Sequence, residues 1–280
     1  FHLHGYLEVE TPIRQPTQAP EEHIDIVSSV SWFLHTSPEL CMKRLLASGY
    51  QKIFQICHCF RDGERGHQHL PELTLLEWYT AGADYRQMMT QTEALIRHVI
   101  QGLNMGQPFQ YQKITIDWHN PWKRMTVAKA FTTFGSISLN EALNNDRFDE
   151  ILISEIEPNL GILHPTFLMD YPAKLGSLAR ITPTDDSVAE RFELYMGGLE
   201  LCNGFSELTD TVEQRQRFED AKRLRVKEKK PPYPMPEKFL NDLKKVPPAA
   251  GNALGLDRLV MLLADTNEID DVVAFTPEEL

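Results

Sequence analysis

Gly197-Gly198 interrupts the segment RFELYMGGLELCNGF, and apolar and polar residues alternate on both sides of it. Alternation with a period of two marks a strand with one buried face, and a Gly-Gly pair supplies the positive-φ positions of a two-residue hairpin turn. The chain must therefore contain an antiparallel ladder here. A two-residue loop pairs Tyr195 with Glu200 and Glu193 with Cys202, which sets Glu193 and Glu200 diagonally on one face. Diagonal neighbours lie roughly 7–8 Å apart, so the two carboxylates either share a cation or repel each other. Magnesium carried by a phosphate-bearing ligand suits such a pair. Two solvated surface glutamates are the plain alternative.

FRDGERGHQHLPELTLLEWY, residues 60–79, raises the same question a second time. Strand period turns Leu73, Leu75, Glu77 and Tyr79 to one face, and in the preceding run QKIFQICHCFR it groups Gln55, Cys57, Cys59 and Arg61. A carboxylate and a phenol thus look the same way, and Arg61 stands at the mouth of the loop. Helices surround these hairpins. Ser37 is an N-cap with Pro38 in the first turn, Leu40, Met42, Leu45 and Leu46 recur at helical spacing, and YRQMMTQTEALIRHVIQGL is amphipathic.

Asp210 and Glu213 open a long helix reaching about Lys229. Residues 105–165 yield only a helix near Asp149 to Ile156. HPTFLMDYP reads as extended, AAGNALG as a small-residue turn leading into the apolar helix LDRLVMLLAD, and DDVVAFTP as a closing strand. EVETP starts a strand at Glu8 to Glu10, and PIRQPTQAPEE, with three prolines, reads as a loop. Hairpins and helices alternate without a βαβ rhythm, so the expected class is α+β, a mostly antiparallel sheet with helices packed on it. Residues 1–280 are expected to form one such domain.

Composition excludes several roles. A net charge of −12 argues against the extended basic surface of a nucleic-acid binder. No apolar run reaches the roughly 18 residues of a membrane span, and the opening FHLHGYLEVETP lacks a secretory pattern, so a cytoplasmic protein without membrane partners is expected. Cys41, Cys57, Cys59 and Cys202 form no CxxC pair or familiar zinc spacing and read as reduced thiols. KRLRVKEKK, residues 222–230, is the one basic run, either a solvated helix end or a dock for an acidic partner.

LEVETP, then FR followed sixteen residues after the arginine by EWY, then FELYMGGLELCNGFSEL and GLDRLVMLL, together resemble class II aminoacyl-tRNA synthetases of the lysine type. The resemblance spans nearly the whole chain. Within that group the sequence is most similar to the stand-alone branch that ligates β-lysine to elongation factor P. It implies an antiparallel sheet flanked by helices, a homodimer built on the first motif, and no anticodon-binding domain, hence no tRNA anticodon binding. It implies ATP and Mg2+ as well. Carried over by position, Arg61 would contact the α-phosphate and Arg258 the γ-phosphate as the catalytic pair, and Glu193 and Glu200 would hold the metal. Glu64, His69 and Leu73 would complete the ATP site, while Glu39, Glu77, Tyr79, Asn203 and Glu207 would surround a diamino acid.

The chain departs from the family pattern at three places. Gly63 replaces the glutamate two residues after the motif arginine, with Glu64 next to it, and Leu73 replaces the phenylalanine that stacks on adenine. Where lysyl-tRNA synthetases read GLGIGIDR this chain reads GNALGLDR, so Ala253 stands at the middle glycine. One methyl there would crowd an α-amino group and favour an amino group on the β-carbon, a discrimination of about 1–3 kcal/mol. The expected function is ATP-dependent activation of (R)-β-lysine and its transfer to the ε-amino group of a lysine on elongation factor P. The catalytic part of a lysyl-tRNA synthetase is the alternative, and a catalytically silent binding paralogue is a third reading.

Overall fold

Both hairpins legible in the sequence belong to one sheet. In a computed structural model that describes residues 1–21 and 24–280, chain order is β1 (Leu7–Glu8), β2 (Arg14–Gln15), β3 (Ser28–Ser29), β4 (Trp32–Leu34), α1 (Glu39–Ala47), β5 (Lys52–Phe60), β6 (Glu72–Ala81) and α2 (Tyr85–Gly102). Then come β7 (Phe109–Tyr111), β8 (Ile114–Ile116), β9 (Lys123–Thr126), α3 (Val127–Phe134), α4 (Leu139–Asn144), α5 (Phe148–Ile151) and β10 (Thr166–Pro172). The last third holds β11 (Ile181–Thr182), β12 (Asp185–Met196), β13 (Leu199–Ser206), α6 (Thr211–Lys227), α7 (Glu237–Leu243), β14 (Ala249–Gly255) and α8 (Leu256–Leu263). Glu22, at the end of the expected loop PIRQPTQAPEE, lies outside the described residues, and Arg14–Gln15 within that loop pairs with β4.

Nine strands form the main sheet in the order β1-β5-β6-β14-β13-β12-β10-β9, with β11 beside β12. Its interior is antiparallel, as expected for an α+β chain, and the only parallel pairs among the described residues are β1 with β5 and β10 with β9 at the two edges. On one face α2 and α8 cover an apolar core that includes Trp78, Met88, Ile96, Phe192 and Leu254. Asp84 starts α2 with a reciprocal capping box to Gln87. The opposite face carries two smaller clusters, one around Tyr79, Leu46 and Phe218, the other around Phe131, Tyr171 and Tyr195. The space between these two clusters is the cavity described below.

Three sequence readings are corrected. AAGNALG is no turn but β14, paired on both sides. Its small residues hid it, and they are small because neighbouring side chains lie over it: a Cβ on Gly251 would stand 2.4 Å from the Tyr79 ring and 2.6 Å from Glu207 Oε1. DDVVAFTP forms no closing strand but a 3-10 turn at Ile269–Val272. The Ile269 amide donates to the His67 carbonyl and Asp270 pairs with Arg65 at 2.8 Å, so the segment is tied to the 61–71 loop.

The third correction concerns register. Tyr195 does face Glu200, but the ladder shifts between Leu194 and Tyr195, so Glu193 faces Asn203 and not Cys202. The extra residue, Leu201, is a bulge that lets Glu200 and Asn203, an odd number of positions apart, share one face. The helix expected near Asp149 to Ile156 begins as α5 and continues as a π turn over Leu152–Ile156. Among the described residues no helix is long and apolar enough to cross a membrane.

Candidate active site

A row of paired side chains crosses five strands, and its members on four of them, Glu193, Asn203, Ala253 and Glu77, line one cavity. Glu193 on β12 faces Asn203 on β13, Asn203 faces Ala253 on β14, Ala253 faces Glu77 on β6, and Glu77 faces Gln55 on β5. Directly paired residues share a sheet face, so the row looks into the space left between the two apolar clusters. That space is a cavity of about 400 Å³, within the range of small-molecule sites. Arg61, Arg258, Glu39, Glu64, His69, Leu73, Glu77, Tyr79, Glu193, Glu200, Asn203 and Ala253 all line it.

One end is acidic. Glu77 is 1% exposed; Ser37 donates to its Oε1 at 2.6 Å and Tyr79 to its Oε2 at 2.9 Å. Ser37 also accepts the Glu39 amide at 3.0 Å and so ties the start of α1 to Glu77, but the cap position of α1 falls on Pro38 and not on Ser37 as expected. Burial, with the Glu39 charge second, pushes the Glu77 carboxyl up to about 8. Glu207 lies behind the wall and does not line the cavity. Its Oε2 sits 2.5 Å from Lys43 Nζ, which also donates to Glu39 Oε1 at 2.6 Å. Burial pushes Glu207 up to about 8 despite the Lys43 ammonium. Glu39 and Glu207 thus share a single ammonium, that of Lys43, while Glu77 meets only hydroxyls, and this excess of carboxylate suits a ligand with more than one amino group.

The other end is basic. Arg61 reaches Glu64 only at 3.5 Å, and its Nε is buried with no hydrogen-bond partner. Arg258, in the first turn of α8, donates to Glu200 Oε2 at 3.0 Å and to the Gln68 carbonyl at 3.2 Å. Its Nη2 lies 2.6 Å from His69 Nε2; burial and this guanidinium hold His69 below the usual histidine range. His69 therefore accepts from Arg258 as a neutral ring. Asp257 accepts the Thr74 amide at 2.7 Å. Two guanidiniums and a helix start facing one cavity suit a polyphosphate.

Between the two ends, Arg191 donates to Glu193 Oε1 at 2.6 Å, Tyr195 to its Oε2 at 2.8 Å, and Tyr171 to the same oxygen. The Tyr195 hydroxyl also lies 3.0 Å from Glu157 Oε1. Burial, then the Glu200 charge, pushes Glu157 up to about 7, and burial also raises Glu193. Among the described residues these carboxylates do not bring three donors within reach of one ion. An oxygen-only pair that is also repelled by a third carboxylate fits magnesium, which prefers one or two carboxylates plus substrate oxygens.

Sequence reasoning missed Lys43, Arg191, Tyr171 and Glu157. Lys43 had a signal in its i,i+4 spacing from Glu39, whereas Arg191 and Tyr171 enter only through the register of β10 and β12. The basic run also differs from expectation, since Arg225 is fully buried and clasps Asp25 at 2.7 Å and the Tyr233 hydroxyl at 2.5 Å.

Comparison with known proteins agrees with this geometry. The family model for tRNA synthetases class II (D, K and N) matches residues 1–279. Proteins named elongation factor P (R)-β-lysine ligase match 99% of this chain and 90% of their own length, at 37% identity over 293 residues in Salmonella dublin and 38% over 296 residues in Pectobacterium carotovorum. A protein of the same name from Salmonella arizonae is 38% identical over 293 residues. With the match running from end to end, and with its acidic and basic ends meeting on one antiparallel sheet, the chain belongs to the class II tRNA synthetases of the D, K and N group.

Proposed function

We propose that this chain is an ATP-dependent ligase that activates (R)-β-lysine as its adenylate and passes the β-lysyl group to the ε-amino group of a lysine on elongation factor P. The observation that carries the reading is the polarity of one cavity, with buried Glu77 and half-buried Glu39 at one end and Arg61 and Arg258 at the other. The names of the relatives at 37–38% identity point the same way.

In the first step a carboxylate oxygen of β-lysine attacks the α-phosphorus, the mixed anhydride forms, and pyrophosphate leaves with the bridging oxygen. Arg61 steadies charge on the α-phosphate and Arg258 holds the γ-phosphate, released from His69 and Gln68 as the nucleotide enters. Glu64 orients Arg61, His69 closes over the phosphates, and Leu73 covers the purine. Glu193 and Glu200 would hold magnesium, which would supply charge neutralisation on the phosphates. Glu77, with Tyr79 and Ser37 fixing its orientation, takes the distal ammonium; Glu39 and Asn203 complete the amino-acid subsite, and Glu207 acts from behind it through Lys43. In the second step the acceptor amine attacks the acyl carbon and AMP departs, so both steps rest on alignment of reactants.

The 280 residues act as one catalytic domain, without anticodon recognition, and two copies pair along the β1 edge, where Leu3 and Leu7 are 100% and 50% exposed. All four cysteines are free thiols, in keeping with a cytoplasmic setting. Intact-mass analysis of elongation factor P after incubation with the chain, ATP, Mg2+ and (R)-β-lysine tests the reading. A single added β-lysyl group is expected; an unmodified factor together with charging of lysine tRNA would overturn it.

A further inference from the structure

Cys57 and Cys59 lie two residues apart on β5, so their thiols leave the strand on the same face, with Sγ atoms 3.8 Å apart. His35, the residue after β4, brings its ring to the same place, and one donor atom from each of the three lies within 4.8 Å of the others. His35 Nε2 is 2.8 Å from the His58 carbonyl oxygen. A carbonyl only accepts, so Nε2 carries the proton and Nδ1 keeps its lone pair. That Nδ1 is buried without a hydrogen-bond partner, in a residue that is 0% exposed.

We propose that His35, Cys57 and Cys59 form a zinc site, separate from the magnesium expected at the phosphate end. A histidine that ligates zinc through one nitrogen ordinarily donates its other N–H to a carbonyl or carboxylate, which is the arrangement His35 already holds. Two thiolates each about 2.3 Å from a tetrahedral zinc stand about 3.8 Å apart, matching the separation of Cys57 and Cys59. Thiolate and imidazole donors select zinc over magnesium, which takes oxygen. Three protein ligands leave a fourth position for a water or another donor. Arg61 follows Cys59 by two residues, so an ion here would fasten the turn that carries His35 to the strand that delivers Arg61. The spacing gave no warning because His35 and Cys57 are 22 residues apart and meet only through the fold.

The test uses the reduced, chelator-treated chain without nucleotide, titrated with CoCl2 alone and then ZnCl2 alone. One cobalt per chain is expected, with a thiolate-to-cobalt charge-transfer absorption that zinc abolishes. The Cys57→Ser/Cys59→Ser double variant should lose the absorption with unchanged circular dichroism. His35→Gln should weaken zinc by more than about tenfold, the lower end of what even an outer-shell loss costs. A folded wild-type chain without the absorption, or a double variant that retains it, overturns the site. If the variants do not fold, the wild-type chain decides: zinc should protect Cys57, the less buried of the two thiols, from alkylation, and equal alkylation of Cys57 with and without zinc overturns the proposal.

Discussion

Ala253 on β14 stands directly opposite Glu77 on β6, and both line the cavity. The methyl that distinguishes this chain from GLGIGIDR therefore sits one strand spacing from the carboxylate assigned to the distal ammonium, inside the space the amino acid would fill. Ala253→Gly should raise the use of lysine relative to (R)-β-lysine by about tenfold, the lower range for one methyl-sized change. The ratio of kcat/KM values in pyrophosphate exchange checks it, and an unchanged ratio removes Ala253 from the specificity account.

Glu77 makes ligand binding pH-dependent. Burial first, and the Glu39 charge second, push its carboxyl up to about 8, so it is largely protonated at neutral pH. An arriving ammonium favours the ionised form. Binding should therefore release a proton, and the diamino acid should bind up to about tenfold tighter for each pH unit gained between about 6.5 and 8. Calorimetry in buffers of different ionisation enthalpy reads the proton directly. A Kd flat across that window, with no proton released, contradicts the assignment.

Lys43 is a stability residue as much as a site residue. Its side chain and that of Glu207 are both fully buried, and their contact is 2.5 Å. Removing one partner of a buried pair costs about 3–5 kcal/mol. Lys43→Met should lower stability by that amount in urea unfolding, and a loss below about 1 kcal/mol would show that Glu207 simply takes up a proton at little cost.

Glu200 holds Arg258 in this structure and is assigned the metal as well. Glu200→Gln should raise the Mg2+ concentration for half-maximal exchange by about tenfold or more, by analogy with the cost of disturbing a metal's ligand sphere. An unchanged magnesium requirement in a folded variant would move the metal elsewhere, with Glu157 the next carboxylate to try.

Period-two alternation made the two hairpins legible, and with them the shared faces of Leu73, Leu75, Glu77 and Tyr79 and of Glu193 and Glu200. Two kinds of information were not legible. The bulge at Leu201 depends on how two strands settle against each other, and no single-strand pattern encodes it. β14 lacks the branched and aromatic residues that announce a strand because Tyr79 and Glu207 occupy the room its side chains would need. The meeting of His35 with Cys57 and Cys59 is likewise a product of topology.

The most direct measurement is ATP–pyrophosphate exchange with lysine, (R)-β-lysine and (S)-β-lysine side by side, for the wild-type chain and for Arg61→Ala. Exchange driven most strongly by (R)-β-lysine and abolished in Arg61→Ala is the predicted result. No amino-acid-dependent exchange from a folded wild-type chain, or exchange untouched by loss of Arg61, would contradict the claim that this cavity joins a nucleotide to a doubly basic amino acid.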